Sequence, residues 1–388
     1  MRIGVAKPDH GIVGGFERVV DEVERGLTAR GHTVERLVVP VRDLDRLPFG
    51  VRVAAATWRR NPEWFEHLRQ VEAFLAVDAS RFDVVLSTQP PSYAIRHPRH
   101  VSIFFHHLRR FYDLAGPIVD AGLVDRELHG HATRQIRRVD RPLLDRVGWF
   151  LAGSGAVAAR LAEFNGIRDR VSVFHAGLGF RAGLPPEPGP PGTGAICVSR
   201  HEFPKRVELF VAAAHLASTR GWTAIGDGGR LGSTEALDRR YAAGEVDPAA
   251  APEPTWWRDT EAPSAPGRVT FDGRVDAAAL DARFRACRCV VAPALAEDYG
   301  LTALEAMAYA RPVVVADDGG NLAELVEESG AGLVVAPTAA AIAAAVDRLQ
   351  GDDDLAAELG GRGRAFAAGF TWTRAIDEVQ AAIDRVTG

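Results

Sequence analysis

Short, mostly apolar runs recur along the chain at 2–6, 33–39, 82–87, 101–105, 149–152 and 171–174, and again at 195–198, 222–225, 269–271, 288–292, 312–316 and 332–335. A run such as Cys289–Val290–Val291–Ala292 does not alternate with polar residues, so both faces of the strand are expected to be covered. Between the runs the period changes to that of a helix. Phe16, Val19, Val20, Val23 and Leu27 form one stripe at helical spacing, and Gly31 stands where such a helix stops. Further helices are predicted from Gly153–Ser154 through Phe164, and over 205–218, 276–286, 301–308, 321–328, 338–350, 353–368 and 372–386. This alternation predicts an α/β chain built on doubly wound parallel sheets. Three segments resist the pattern: 43–70 reads as loop plus helix, Ile118–Asp145 as one long helix or two, and 230–268 as a long loop.

The alternation breaks once, at Gly183–Leu184–Pro185–Pro186–Glu187–Pro188–Gly189–Pro190–Pro191–Gly192–Thr193–Gly194, where Pro and Gly exclude helix and strand. A chain of 388 residues exceeds the size at which one core usually splits. The expected division is a Rossmann-like domain over 1–182, a linker over 183–194 and a second such domain over 195–368. A last helix over 369–388 is expected to pack back on the first domain. Two such domains place a cleft between two rows of strand carboxyl ends, where a substrate is expected.

Composition narrows the field. A net charge of -5 gives no electrostatic case for nucleic acid and allows at most peripheral membrane contact. The first apolar run stops at Lys7, so no signal peptide is expected, and no run approaches the roughly 18 apolar residues of a spanning helix. Cys197, Cys287 and Cys289 lack metal-site spacing and suit a reducing cytoplasm as structural thiols. Only Lys7 and Lys205 among 46 basic residues are lysines, so each marks a place where a compact point charge is wanted or a chance survivor.

Candidate chemistry gathers at the ends of predicted strands. After 288–292 the chain reads Ala294–Leu295–Ala296–Glu297–Asp298–Tyr299–Gly300–Leu301–Thr302–Ala303–Leu304–Glu305. A helix opening there offers free N–H groups of Gly300, Leu301 and Thr302 to an anion. Glu297 and Glu305 beside such a cradle suit hydroxyls, as ribose-binding acids do, or else are ordinary solvated positions. Gly14–Gly15 opens the first helix and either admits a ligand close to the backbone or simply turns the chain. His106 and His107 end the 101–105 strand, where a histidine donates to a substrate oxygen, polarises a hydroxyl or serves the core.

Taken together these residues resemble family 4 of the glycosyltransferases. The resemblance rests on Glu297 and Glu305 with seven residues between them, Ala310–Arg311–Pro312–Val313–Val314, Gly319–Gly320 and Glu324. It extends to Gly14–Gly15–Phe16–Glu17, to Ser199–Arg200–His201–Glu202–Phe203–Pro204–Lys205–Arg206, to Asp227–Gly228 and to Val269–Val275. The family implies the GT-B fold and transfer of a sugar, with retention and without a metal or other cofactor, from a nucleoside-diphosphate sugar. UDP donors are common in it, and GDP and ADP are also used. By the resemblance Glu297 holds hydroxyls of the transferred sugar, Glu305 holds the ribose, and His106 touches the sugar from the other domain. Gly14, Gly15, Tyr299, Arg274 and Val275 join the donor-binding set on the same ground.

Departure of the diphosphate develops negative charge, which Arg200, Lys205 and the amides of Gly300–Thr302 would meet. The acceptor is left open among natural product, lipid and saccharide. A non-catalytic sugar-nucleotide-binding protein and a sugar-nucleotide epimerase are the rival readings. Two departures stand out: His175–Ala176–Gly177–Leu178–Gly179 where the family often has Asn–Gly and an Asp, and a 230–268 segment longer than the family norm.

Overall fold

Twelve strands among the described residues pair only in parallel, six to a sheet. The computed structural model describes all residues except 12–14, 180–183, 186–188, 190–191 and 253–254. Gly14 and part of the expected linker lie outside the described residues. The chain divides into one unit of Met1–Gly179 with Thr371–Gly388 and another of Phe180–Phe370.

The first unit runs β1 Arg2–Asp9, α1 Gly15–Ala29, β2 Thr33–Pro40, α2 Ala55–Arg60, α3 Pro62–Leu75, β3 Val84–Ser87, β4 His100–Phe104, α4 Ala115–Asp120, α5 Arg126–Leu144, β5 Trp149–Ala152, α6 Gly155–Asn165 and β6 Val171–Val173. Its sheet has the order β2-β1-β3-β4-β5-β6. The central strands β3 and β4 are buried throughout, while edge strand β6 is half-buried, as expected of a sheet covered on both faces. Val85, Phe104 and Phe150 join Phe74 and Leu161 in its core.

The second unit runs β7 Ala195–Val198, α7 Val207–Leu216, β8 Trp222–Ile225, α8 Leu231–Ala242, β9 Val269–Gly273, α9 Ala277–Ala286, β10 Cys289–Ala292, α10 Leu301–Ala308, β11 Val313–Ala316, α11 Asn321–Ser329, β12 Gly332–Val335, α12 Ala339–Gly351 and α13 Asp353–Ala367. Phe210, Trp222, Val291, Val314 and Ile342 belong to one core there. Its three thiols are buried, and burial pushes Cys197 and Cys287 up to about 12, which keeps them unreactive. Asp352 caps α13 by accepting from the Leu355 N–H at 2.9 Å, with Asp353 and Asp354 in its first turn.

The segments without a clear period are explained by polar residues on buried faces. The 230–268 stretch is not one long loop: α8 occupies its first third, with Thr234, Leu237, Asp238 and Tyr241 turned inward. Thr234 bonds the Arg230 carbonyl at 2.7 Å and Asp238 pairs with His215 at 2.7 Å, so two inward positions are polar and satisfied. In α3 the buried face likewise mixes His67 and Gln70 with Phe65, Val71 and Phe74. The 118–145 stretch is two helices, and Asp125 caps the second by accepting from the Leu128 N–H at 2.8 Å.

Helix α14, Trp372–Thr387, belongs to the first unit. It approaches α1 so closely that a Cβ on Gly26 would lie 2.4 Å from Ile376 Cγ1. Glu378 accepts from His175 twice, from the N–H and from Nδ1, each at 2.7 Å, and Trp372 Nε1 donates to the Leu178 carbonyl at 2.9 Å. The 175–179 departure from the family pattern is thus the seat of the last helix. Ile376 is 4% exposed. Ile376→Ala is expected to cost about 2–4 kcal/mol, lowering the urea midpoint of the transition reported by the first unit.

Candidate active site

The second sheet has the order β12-β11-β10-β7-β8-β9, so the strand order reverses between β10 and β7. Loops leaving the carboxyl ends of strands at such a point diverge and leave room for a ligand. Here the loops after β7, β10 and β11 are held together by main-chain bonds. Leu295 N–H donates to the Pro204 carbonyl at 2.7 Å, and Ala296 N–H to Asp318 at 2.9 Å. Glu297 N–H donates to Gly319 at 2.7 Å, and Asn321 N–H to Glu297 at 3.0 Å, making a parallel bridge between Glu297 and Gly320. Gly320 has φ 62° and ψ −128°, a conformation closed to other residues, and a Cβ there would sit 2.8 Å from the Ala296 carbonyl carbon.

On this framework Lys205 Nζ donates to Glu297 Oε2, both side chains being largely buried. The next residue, Arg206, is left-handed at φ 48°. Its guanidinium forks onto Asp318, with Nη1 donating to Oδ2 at 2.8 Å and Nη2 to Oδ1 at 2.5 Å, while Nε donates to the Pro293 carbonyl at 2.7 Å. The fork holds the strained turn that sends Lys205 to Glu297. Gly300, left-handed at φ 88°, opens α10 with no side-chain cap, so the first N–H groups of that helix are not consumed within it. Thr302 Oγ1 donates to the Val198 carbonyl at 3.3 Å, fastening α10 to the end of β7. The buried Tyr299 offers its carbonyl to Asn321 Nδ2 at 2.6 Å. Glu305 is half-buried in the second turn of α10 and Arg200 is exposed two residues beyond β7.

The structure therefore brings Lys205, Glu297, Tyr299 and Gly300–Thr302 together around one strand-order reversal. Arg274 and Val275 stand apart, following β9 two strands away, about 10 Å at ordinary strand spacing. Asp318 and Asn321 escaped the sequence reading, and Arg206 entered it only as the end of a motif, without a role. A left-handed arginine leaves no mark in the sequence, and its partner lies 112 residues away.

In the first unit Gly15 begins α1, and Phe16 packs edge-on against Phe105 with centroids 5.1 Å apart. The helix opening thereby lies beside the residue preceding His106. His107 is a core residue: it stacks on Tyr112 at 4.1 Å, its Nε2 meets Asn165 Oδ1 at 2.7 Å, and burial pushes it down to about 4. Tyr112 in turn donates to Asp140 at 2.8 Å, which also meets His67 at 2.7 Å. His106 is half-buried, with Nδ1 2.7 Å from the His107 carbonyl. A carbonyl only accepts, so Nδ1 carries a proton, and in the tautomer with that proton alone Nε2 is left as an acceptor.

A family model described as Glycosyltransferase Family 4 matches residues 13–178, and one described as Glycosyl transferases group 1 matches 260–366, so the two cover most of both units. The chain belongs to family 4 of the glycosyltransferases. Its fold is the GT-B fold. Sucrose-phosphate synthase of Thermosynechococcus elongatus superposes with a TM-score of 0.71 over 98% of this chain and 97% of that one, at 19% identity. Anabaena HepE in complex with UDP gives 0.63 over 99% and 100%, at 16% identity. A D-inositol 3-phosphate glycosyltransferase of Nocardia farcinica is 38% identical over 111 residues, which are 28% of this chain and 24% of that protein. The chain thus spans about a quarter of the length of the curated relatives it matches.

The turn at Arg206 can be tested separately from chemistry. Arg206→Ala and Arg206→Gly both lose the fork, but only glycine takes a left-handed conformation without penalty. The glycine variant is expected to be the more stable by about 1 kcal/mol in chemical denaturation of the second unit; equal stabilities would contradict the left-handed turn.

Proposed function

We propose that this glycosyltransferase moves a sugar from a nucleoside-diphosphate sugar to an acceptor hydroxyl with retention of anomeric configuration. The observation that carries the proposal is the Lys205–Glu297 pair beside the uncapped start of α10, at the point where the strand order reverses. A leaving diphosphate would be met by Lys205, by Arg200 and by the N–H groups of Gly300, Leu301 and Thr302. As phosphate engages Lys205, the Glu297 carboxylate turns to hydroxyls of the transferred sugar. Glu305 takes the ribose and Tyr299 belongs to the same donor set, while Arg274 and Val275, after β9, would meet the donor only at its far end. His106, with Nδ1 engaged, accepts from a sugar hydroxyl through Nε2. Two cationic side chains and a helix terminus supply the countercharge, so no metal is invoked.

UDP is the proposed nucleotide, supported by the UDP complex of a protein that shares the fold; GDP and ADP are the alternatives. The acceptor is a natural product, a lipid or a saccharide. The Nocardia relative, by its name, acts on a polyol phosphate, which makes polyols the first acceptors to try. Among the described residues no helix is long and apolar enough to cross a membrane.

The direct test incubates the purified chain with UDP-, GDP- and ADP-sugars and measures nucleotide release with and without polyol acceptors. Binding without release would leave a sugar-nucleotide-binding protein in place of a transferase. Lys205→Ala and Arg200→Ala are each expected to lower kcat by about a hundredfold or more while donor KM changes much less. A change confined to KM would put both charges on the ground state. Glu305→Ala is expected to weaken UDP binding about tenfold or more in calorimetry, the loss of a charge-assisted hydrogen bond; unchanged affinity would remove its ribose role.

A further inference from the structure

The surface after β2 presents apolar side chains that the fold makes no use of. Among the described residues six large apolar side chains are exposed, and three of them lie within Leu47–Val51: Leu47 at 39%, Phe49 at 53% and Val51 at 63%. Single exposed apolar residues are ordinary, but three within five positions are not.

This segment is held, not loose. Phe49 and Gly50 are both left-handed, at φ 51° and 73°, which is rare for a bulky residue and turns the ring away from the core. Phe49 N–H donates to Glu72 Oε2 at 2.7 Å and Leu47 N–H to Asp45 Oδ1 at 2.9 Å. Arg69 grips both carboxylates, at 2.9 Å to Asp45 and 3.2 Å to Glu72. Gly50 and Val51 close short turns onto the Leu47 and Pro48 carbonyls, and Pro48 is buried. The backbone is thus tied to α3 while its three apolar side chains stand in water.

The exposed charge around the tip is predominantly positive. Arg46, Arg52, Arg59 and Arg60 are all exposed. The acids within 43–60 are Asp43 and Asp45, and Asp45 is already held by Arg69. Trp58 fixes α2 beneath them, stacking on Phe65 with centroids 5.3 Å apart. The chain as a whole is acidic, at -5, so this basic rim is local.

We propose that the Leu47–Val51 tip with its arginine rim docks on an anionic lipid bilayer. Three side chains make a patch far smaller than the roughly 800 Å² each partner buries in a stable protein complex. They suit insertion among headgroups, with guanidiniums reaching lipid phosphates. The patch and His106 both follow carboxyl ends of strands in one sheet, β2 and β4, three strands apart, or about 15 Å. Docking there brings that edge of the unit to the bilayer. The proposal does not depend on the donor chemistry.

The test is co-sedimentation of the full chain with vesicles of phosphatidylcholine alone, and with roughly two parts phosphatidylcholine to one of phosphatidylglycerol. The chain is expected to pellet with the mixed vesicles, to stay in solution with neutral ones, and to be released by salt. Phe49→Asn with Val51→Ser keeps a residue tolerant of the left-handed turn and removes the wedge; Arg52→Glu with Arg59→Glu reverses the rim. Each is expected to lower binding about tenfold or more, with thermal midpoint and nucleotide release unchanged. The proposal is overturned if the chain ignores the mixed vesicles, or if either variant pellets as well as the parent. It is also overturned if the parent instead forms a concentration-dependent dimer that Phe49→Asn abolishes, which would make the tip a contact between copies.

Discussion

The peptide groups flanking Glu297 donate to Gly319 and accept from Asn321, so the loops after β10 and β11 run on as a small parallel ladder beyond the sheet. Glu297, Tyr299 and the start of α10 hang from that extension. Glu297 is aimed by its own paired backbone, Tyr299 is fixed by Asn321, and Gly300 then starts α10 at the height of the strand ends. Main-chain bonds suit this task because they do not depend on ionisation. Lys205, on the loop after β7, reaches the Glu297 carboxylate from beside that ladder.

A second constraint lies behind the first. Lys205 precedes a residue held left-handed against its preference, and the strain persists because a forked ion pair to Asp318 and a bond to the Pro293 carbonyl over-determine it. The stretch from 203 to 206 is thereby tied to the loops after both β10 and β11. The first unit orders its candidate histidine by similar means. Aromatic packing buries His107, and the His107 carbonyl then sets the proton on His106.

Strands were the most legible part of the chain, because a strand covered on both faces must be continuously apolar, and Val313–Ala316 and Cys289–Ala292 are. Helices were legible where the inward face is apolar, as in α1, and obscured in α3 and α8, whose inward faces carry His67, Gln70, Thr234 and Asp238. Of the candidate site, Glu297, Lys205 and Gly300 were visible as residue types at a strand end. The roles of Asp318, Arg206 and Asn321 were not, since an Asp, an Arg or an Asn in a loop has many uses and only its partner reveals which. The exposed tip at Leu47–Val51 was equally hidden, because an apolar run does not announce whether it faces a core or water.

The sequence by itself determined the two parallel sheets, the helices between most of their strands and the family to which the chain belongs. Those follow from local periodicity and from motifs read in order. The tertiary structure decided which charges meet, which histidine is buried, which residues seat α14 and which apolar residues remain in solvent. These are contacts between residues far apart in the chain, such as Lys205 with Glu297 and His175 with Glu378. Local preference cannot specify them, because each depends on how strand order and crossovers bring distant loops to one edge of a sheet.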